Sequence, residues 1–281
     1  MIIFRKAKEV TDFLLKKKKD GSKIGFVPTM GALHQGHLSL IRTCKKENDI
    51  AVCSIFVNPT QFNDPSDFQK YPITIENDIY LLETNGCDAL FLPSVSEMYP
   101  DGLKNNLHYD LGYLETILEG KYRPGHFQGV CQVVNRLLDI VVTNNLYLGQ
   151  KDYQQCMILK KLVDILQLPV TVTVCATTRE ADGLAMSSRN MRLDESERKK
   201  AVTIFETLDM IKKELHGGSL IYLKEKAEKN LSDKGFKIDY VEIANANTLQ
   251  SIAEWDQHTP LVALCAAFLD DVRLIDNMLL N

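Results

Sequence analysis

The fold is decided by residues 24–41, which read IGFVPTMGALHQGHLSLI. This segment begins as a short apolar run, typical of a buried strand, and ends with apolar residues at helical spacing. Between the two halves lie Pro28, Gly31 and Gly36, which are typical of a tight connection between a strand and a helix. The pattern therefore predicts a βα turn with small residues near its backbone.

Two histidines, His34 and His37, lie three positions apart at the predicted start of this helix. If His34 already belongs to the first helical turn, both rings share one face of the helix. A helix N-terminus offers unpaired N–H groups and the positive end of the helix dipole, which suits a phosphate. The turn matches neither G-x-G-x-x-G nor G-x-x-x-x-G-K-[ST], so we interpret it as a phosphate site built from histidines and backbone. The alternative is an ordinary βα turn whose histidines only cap the helix.

Composition indicates a globular protein that does not bind nucleic acid or membranes. The chain has 281 residues, of which 45% are hydrophobic and 25% charged, and its net charge of −4 argues against broad nucleic-acid binding. No apolar run approaches the length of a membrane span, and the N-terminus lacks a signal-peptide pattern, so we expect a cytoplasmic protein. The seven cysteines form no Cys-x-x-Cys pair and are predicted to be reduced core residues.

Strand and helix patterns alternate over residues 20–175, which predicts an α/β fold with a Rossmann-like, doubly wound parallel sheet. The predicted strands are Ile24–Val27, Asp49–Val57, Asp88–Leu92, Leu146–Gly149 and Val170–Cys175. The predicted helices are 5–20, His37–Glu47, 74–85, one from Pro124 to Val142, and one that ends near Leu166. Residues 93–123 are less regular, with a possible short strand at Leu107–Leu111 and a possible short helix at Tyr113–Leu118.

The pattern changes after residue 175. Residues 176–190 read as a polar link, which we expect to act as a hinge with a serine-rich phosphate-binding motif. Residues 191–281 are predicted to form a small C-terminal α+β lid domain, whose closure would exclude water. Its first helix begins at a capping box of Asp194 and Glu197 and runs to Gly217. A second helix at Ser219–Ser232 and strands at Ile238–Ile243, Leu261–Phe268 and Val272–Ile275 complete it.

Polar side chains follow three of the predicted parallel strands. His34, Asn58 with Gln61, and Lys151 each come just after a strand end. Ligands of such sheets bind outside the carboxyl ends of the strands, so we expect these groups to converge on one edge.

Five ordered blocks carry a family resemblance that covers nearly the whole chain. They read PTMGALHQGH at 28–37, SIFVNPTQF at 54–62, RPGHF at 123–127, GQKDYQQ at 149–155 and READGLAMSSRN at 179–190. On these blocks the chain resembles the pantothenate synthetase family of the nucleotidyltransferase-like superfamily. The resemblance implies ATP-dependent condensation of pantoate with β-alanine to pantothenate, through a pantoyl-adenylate, with release of AMP and pyrophosphate. It also implies a homodimer and magnesium bound with ATP, with no tightly bound organic cofactor and no metal cage of protein ligands.

The resemblance also implies roles for particular residues. His34, His37 and Lys151 would be catalytic through charge stabilisation at the phosphates, with His37 a possible proton donor. The residues implied to bind ATP are Met30, Gly31, Ala32, Leu33, His34, Gln35, Gly36, His37, Gly149, Gln150, Lys151, Asp152, Thr178, Met186, Ser187, Ser188 and Arg189. Those implied to bind pantoate or β-alanine are Gln61, Gln155 and Asn58, with Tyr71 as a further candidate beside β-alanine.

Several of these residues have a structural alternative. Asp152 is either a helix N-cap or a contact of the ribose, and Asn58 either caps the end of its strand or meets substrate. The block at 123–127 reads as the start of the long helix, and we leave it out of the predicted site. Gln150 stands where many relatives carry an acidic residue, and no lysine precedes Met186, so Lys151 and Arg189 would supply most of the positive charge.

Two other functions compete with the ligase. A cofactor adenylyltransferase shares the His-x-Gly-His pattern but transfers AMP to a phosphate acceptor, and the glutamines and the C-terminal domain argue against it. A regulatory nucleotide-binding module would not need two histidines, a lysine and paired amides. A tRNA ligase is disfavoured because the chain has neither an anticodon-type extension nor a basic face.

Overall fold

The computed structural model describes residues 1–63, 65–103 and 107–281, with the backbone alone at Pro65 and Ser66. The chain divides into two compact units. The first consists of Met1–Gln150 and Gln154–Ala176, and the second of Lys151–Tyr153 and Thr177–Asn281.

The first unit alternates strands and helices along the chain. Its elements are β1 (Ile2–Phe4), α1 (Ala7–Lys19), β2 (Ile24–Thr29), α2 (Gln35–Glu47), β3 (Ile50–Ile55), α3 (Pro65–Gln69), α4 (Ile75–Thr84), β4 (Ala89–Phe91), α5 (Val95–Met98), α6 (Leu118–Tyr122), α7 (His126–Val141), β5 (Asn145–Gly149), α8 (Tyr153–Ile165) and β6 (Thr171–Cys175). Short 3₁₀ turns occupy Pro59–Gln61, Gly112–Glu115 and Gln150–Asp152.

The six strands form one sheet in the order β1-β4-β3-β2-β5-β6, and every pairing is parallel. Alternate residues of a strand face opposite sides of the sheet, and each side carries its own core. Phe26 and Val52 belong to one core cluster, whereas Val27 and Cys53 belong to the other. Helices therefore cover both faces, and the predicted doubly wound parallel sheet is confirmed.

The strand order places a topological switch point between β2 and β5. Chain order runs outward from β2 through β3 and β4 on one side and through β5 and β6 on the other. Ligands of doubly wound sheets bind beside such a point, at the carboxyl ends of the strands. The turn with the two histidines leaves β2 there.

Some predictions for the first unit were wrong in detail. β1 was missed because three residues are too few for a periodic signal. No strand forms at Leu107–Leu111, although Tyr109 and Leu111 are buried in the core. The long helix α7 begins at His126, and its N-cap is Gly125 in a left-handed conformation (φ 80°), so Pro124 lies outside the first turn.

The second unit is an α+β structure with its own core. It contains a 3₁₀ turn at Ser188–Arg192, then α9 (Glu195–Ala201), α10 (Thr203–Lys213), β7 (Gly218–Ser219), α11 (Ile221–Asp233), β8 (Lys237–Asn245), β9 (Glu254–Trp255), β10 (Leu261–Leu269) and β11 (Val272–Leu279). The three long strands pair antiparallel in the order β11-β10-β8, and α10 and α11 pack on them. The capping box of Asp194 and Glu197 is present as predicted, but the helix it starts is interrupted at Val202.

Two features of this division differ from the sequence prediction. Lys151–Tyr153 groups with the second unit, because the Lys151 carbonyl accepts from Asn277 Nδ2 at 2.9 Å and the Tyr153 hydroxyl donates to the Ala246 carbonyl at 2.7 Å. The predicted link is folded from Thr177 onward as part of that unit, with an antiparallel bridge between Arg179 and Ala185. Its action as a hinge stays a prediction.

The cysteines agree with the compositional analysis. All seven cysteines are free thiols, six of them buried and Cys175 half-buried. Within the part of the chain that the structure describes, no helix is long and apolar enough to cross a membrane.

Candidate functional site

The turn after β2 is held in an unusual backbone conformation. Gly31 and Ala32 both have positive φ angles, 84° and 48°. A side chain at Gly31 would meet Ile55 Cγ2 at 3.0 Å and Asp78 Oδ2 at 3.1 Å, so this position needs glycine for both its conformation and its space. At the start of the turn the Thr29 hydroxyl donates to the Ser54 carbonyl at 2.7 Å, which ties the turn to β3.

The two histidines form a reciprocal cap at the start of α2. His34 is the N-cap and lies just before the first helical turn, so the condition considered in the sequence analysis, that it already belongs to that turn, is not met. His34 Nδ1 accepts from the backbone N–H of Gly36 at 3.2 Å, and His37 Nδ1 accepts from the backbone N–H of His34 at 3.4 Å. The ring centroids are 4.1 Å apart, so the capping alternative is correct in geometry and the rings still lie side by side.

These caps determine which ring nitrogen carries the proton. A ring nitrogen that accepts from a backbone N–H is unprotonated, so in the neutral form of each ring the proton is on Nε2. The ring N–H of each neutral histidine is therefore the one on Nε2. Two adjacent donors at a helix N-terminus are suited to a phosphate group.

A carboxylate that sequence reasoning missed organises the same turn. Asp78 is fully buried in the first turn of α4. Its Oδ2 accepts from the backbone N–H of Ala32 at 2.9 Å, and its Oδ1 accepts from that of Leu33 at 2.8 Å and from the Thr74 hydroxyl at 3.0 Å. In the sequence Asp78 reads as an ordinary acidic residue near a helix start, and its partners lie 45 and 46 residues away.

Gln61 lies in the 3₁₀ turn that follows β3, and its side chain reaches the turn after β2. Its Nε2 donates to Met30 Sδ at 3.3 Å, and its Oε1 accepts from Asn58 Nδ2 at 3.2 Å. The structure thus brings together two of the predicted segments, the ATP-binding turn and the substrate-binding amides, at the carboxyl edge of β2 and β3. Tyr71 is buried nearby, with its ring edge-on to Phe62 at 5.9 Å between centroids.

Asn58 has a structural place in this arrangement. It is 1% exposed, and its Oδ1 accepts from the Thr60 backbone at 3.4 Å and from the Tyr99 hydroxyl at 2.8 Å. Its Nδ2 donates to Gln61 and also to the Gly129 carbonyl at 3.3 Å. Both amide hydrogens are therefore used, which favours the capping alternative and a role in orienting Gln61.

The paired glutamines at the start of α8 divide their roles. Gln154 is 3% exposed and binds backbone groups, with its Oε1 accepting from Glu119 N at 2.9 Å and its Nε2 donating to the Leu114 carbonyl at 2.7 Å. Gln155 is half-buried. Its role in binding substrate stays a prediction. Gly149 ends β5, and Gln150 follows in the 3₁₀ turn.

The remaining predicted ATP-binding residues lie in the second unit. Lys151 and Asp152 belong to the short segment that groups with it. The Thr178 carbonyl accepts from the Met186 backbone at 3.0 Å, and the Ser187 side chain accepts from the Arg189 backbone at 3.3 Å. Ser188 is buried. The segment between Thr178 and Arg189 is thus a closed, internally bonded turn.

A buried ion pair supports that turn. Arg179 donates to the two oxygens of Asp276 at 2.6 and 3.1 Å and to the Gly183 carbonyl at 3.0 Å. Burial raises the pKa of the Asp276 carboxyl, while the hydrogen bond from Arg179 opposes this. Among the described residues, no group of three or more His, Cys, Asp or Glu side chains is placed to hold a metal ion.

Comparison with known proteins identifies the family of this chain. The family model of pantoate–beta-alanine ligase matches residues 2–279. The pantothenate synthetase of Cytophaga hutchinsonii is 43% identical over 100% of this chain and 99% of its own length, and that of Caldicellulosiruptor bescii is 44% identical over the same shares.

Solved structures agree with the sequence comparison. The pantothenate synthetase of Thermus thermophilus matches with a TM-score of 0.92 at 38% identity, covering 99% of both chains. The pantoate–beta-alanine ligase of Francisella tularensis, complexed with beta-gamma ATP and beta-alanine, matches with a TM-score of 0.84 at 40% identity, covering 99% of this chain and 97% of its own. On these matches, which confirm the resemblance inferred from the five blocks, the chain belongs to the pantoate–β-alanine ligase family.

Proposed function

We propose that this chain, an ATP-dependent pantoate–β-alanine ligase by family, forms pantothenate in two steps through a pantoyl-adenylate. In the first step a carboxylate oxygen of pantoate attacks the α-phosphorus of ATP, and the bond to pyrophosphate breaks. In the second step the amine of β-alanine attacks the acyl carbon, AMP leaves with the anhydride oxygen, and the amine loses a proton. The mixed anhydride is already activated, so no cysteine or serine nucleophile is needed.

The observation that carries this proposal is the reciprocal histidine cap at the N-terminus of α2. His34 and His37 accept backbone N–H groups through Nδ1, which holds both rings at one helix end with Nε2 as the protonated nitrogen of each neutral ring. Phosphoryl transfer depends mainly on positioning and on stabilising charge at the phosphate oxygens. Two donors fixed by the backbone meet that requirement without reorganisation during the reaction.

The predicted substrate residues complete the proposal. Gln61 and Gln155 would bind the hydroxyls and carboxylate of pantoate, because amides both donate and accept. The contact between Gln61 and Met30 supports this assignment, since it sets a pantoate-binding group beside the ATP-binding turn. Lys151, Gly149, Gln150, Asp152, Thr178, Met186, Ser187, Ser188 and Arg189 are proposed to bind ATP.

ATP is the nucleotide substrate, and we propose that it binds as its magnesium complex. Mg²⁺ is usually bound through one or two carboxylates and the phosphates, and it keeps several waters. We propose that it binds chiefly to the triphosphate, with no tightly bound organic cofactor. Homodimeric assembly and a cytoplasmic location are also proposals, and both are supported only by membership of this biosynthetic enzyme family.

Pyrophosphate release tests the two-step reaction. The purified chain is incubated with ATP and magnesium, and pantoate and β-alanine are omitted in turn. We expect one equivalent of pyrophosphate per enzyme with pantoate alone and continuous turnover once β-alanine is added. Release that does not depend on pantoate would contradict the proposal and favour the cofactor adenylyltransferase.

A further inference from the structure

The start of α7 packs tightly against the turn that carries Gln61. A β-carbon added to Gly129 would lie 2.4 Å from the Thr60 carbonyl oxygen, so only glycine allows this approach. The Gly129 carbonyl in turn accepts from Asn58 Nδ2 at 3.3 Å. The position of the Pro59–Gln61 turn is therefore set by the first turns of α7.

His126, the first residue of α7, makes the most specific of these contacts. It is 5% exposed, and its Nδ1 lies 2.8 Å from the Gln61 backbone carbonyl oxygen. Its Nε2 lies 3.1 Å from Arg123 Nη1. One histidine thus connects the backbone of Gln61 to a guanidinium group in the preceding turn.

The chemistry of these two neighbours permits one arrangement of protons. A guanidinium carries only donors and stays protonated, so His126 Nε2 must accept from Arg123. A carbonyl oxygen only accepts, so His126 Nδ1 must carry a proton and donate it. The two contacts agree on a neutral ring protonated at Nδ1, which is the opposite tautomer to that of His34 and His37.

We propose that His126, held in its Nδ1–H tautomer by Arg123, is a positioning residue that fixes the Gln61 carbonyl and thereby aims the Gln61 amide at pantoate. The inference rests on the proposed role of Gln61 in substrate binding. Within that role it explains the RPGHF block at 123–127, which sequence analysis assigned only to the start of a helix.

The geometry explains why this one bond matters for the side chain. The turn is only three residues long, and Gln61 is its last residue. Rotation of the whole Pro59–Gln61 turn relative to α7 would carry the Gln61 Cα with it and swing the amide away from Met30 and Asn58, its two side-chain partners. A bond to the Gln61 carbonyl opposes that rotation directly, whereas general packing against Gly129 does not.

Two substitutions test the hydrogen bonds of the two ring nitrogens separately. His126→Asn places an amide N–H near the position of Nδ1 and keeps the bond to Gln61. His126→Gln places an amide oxygen near the position of Nε2 and keeps the bond from Arg123, but loses the bond to Gln61. The two variants are therefore matched controls for each other.

The measurement is steady-state pyrophosphate release with pantoate and ATP varied separately. We expect His126→Gln to lower kcat/KM for pantoate about tenfold, the loss of roughly one buried hydrogen bond. We expect its KM for ATP to stay within about twofold of wild type, and His126→Asn to stay within about threefold of wild type for both substrates. Equal losses in the two variants, or a loss that falls equally on ATP, would overturn the proposal.

A spectroscopic measurement on the wild-type protein keeps the proposal testable if a variant fails to fold. The ring ¹⁵N shifts of His126 should report a protonated Nδ1 and an unprotonated Nε2, and the reverse assignment would overturn the inference. If wild type releases no pantoate-dependent pyrophosphate, the proposed function fails and this positioning role fails with it. If wild type is active and His126→Gln matches it, only the present inference fails.

Discussion

The buried carboxylate of Asp78 provides the sharpest test of how the histidine turn is held. Its two oxygens accept the backbone N–H groups of Ala32 and Leu33 at 2.9 and 2.8 Å, and all of these groups are buried. Asp78→Ala would remove the carboxylate that accepts from both N–H groups. Each unsatisfied buried group costs about 1–3 kcal/mol, so the free energy of unfolding should fall by about 2–6 kcal/mol. That is a large part of the roughly 5–15 kcal/mol typical of a domain.

A milder substitution at the same position should give a smaller loss of stability. Asp78→Asn keeps one carboxamide oxygen, so only one of the two N–H groups retains its acceptor. The other N–H faces an NH₂ group, and we expect about half of the loss seen for alanine. Because Ala32 has a positive φ angle, the turn should relax once released, and the KM for ATP should rise in both variants.

Equilibrium urea unfolding measures the free energy of unfolding of both variants. The pyrophosphate assay at varied ATP concentration measures their KM for ATP. Asp12→Ala is the control, because Asp12 is an exposed residue in an i,i+4 pair with Lys8. Such a pair contributes about 0.5 kcal/mol or less. If the free energy of unfolding of Asp78→Ala lies within about 1 kcal/mol of the wild-type value, or if its KM for ATP is unchanged, the turn does not depend on this carboxylate.

Three further predictions concern the site and the surface. His37→Ala should lower kcat about 10²- to 10³-fold while the KM for pantoate changes little, since it removes a donor that serves charge developing in the transition state; unchanged turnover would refute that role. Asn58→Ala should raise the KM for pantoate and also lower the urea midpoint, because Asn58 orients Gln61 from a buried position, and a change in ATP KM alone would contradict this. Hydrogen bonds from the backbone and hydroxyl of Thr259 and from the His258 backbone lower the pKa of Asp256 from 3.8 to about 2. Because the folded-state pKa is lowered, the ionised Asp256 carboxylate stabilises the fold above about pH 3.8, and this stabilisation is lost as the pH falls toward about 2. Urea unfolding at several pH values should therefore show that Asp256→Asn loses less stability than wild type over that pH range.

Local sequence patterns were enough to predict most of the strands and helices of the first unit. Apolar runs ended by glycine and proline located β2, β3 and β5, each to within about two residues, since a buried strand needs little beyond continuous apolar character. The errors fall where the local signal is weak. The helix α7 begins at His126, after an N-cap at Gly125 in a left-handed conformation, and the proline that precedes Gly125 does not reveal this start. Lys151–Tyr153 joined the second unit through partners more than ninety residues away, which no window of sequence reveals.

Sequence patterns alone predicted the parallel α/β core, the family, and the two histidines and Gln61 as candidate site residues. They were sufficient because those signals are local: residue periodicity, turn residues and short ordered blocks. The folded structure was needed to show that Asp78 accepts from the backbone of the histidine turn, that Gln154 is buried while Gln155 is half-buried, and that His126 contacts the Gln61 carbonyl. A hydrogen bond needs a partner at a defined distance and direction, and the partner of His126 lies 65 residues away at Gln61. Chain folding, and not local sequence, brings such groups within 3 Å of each other.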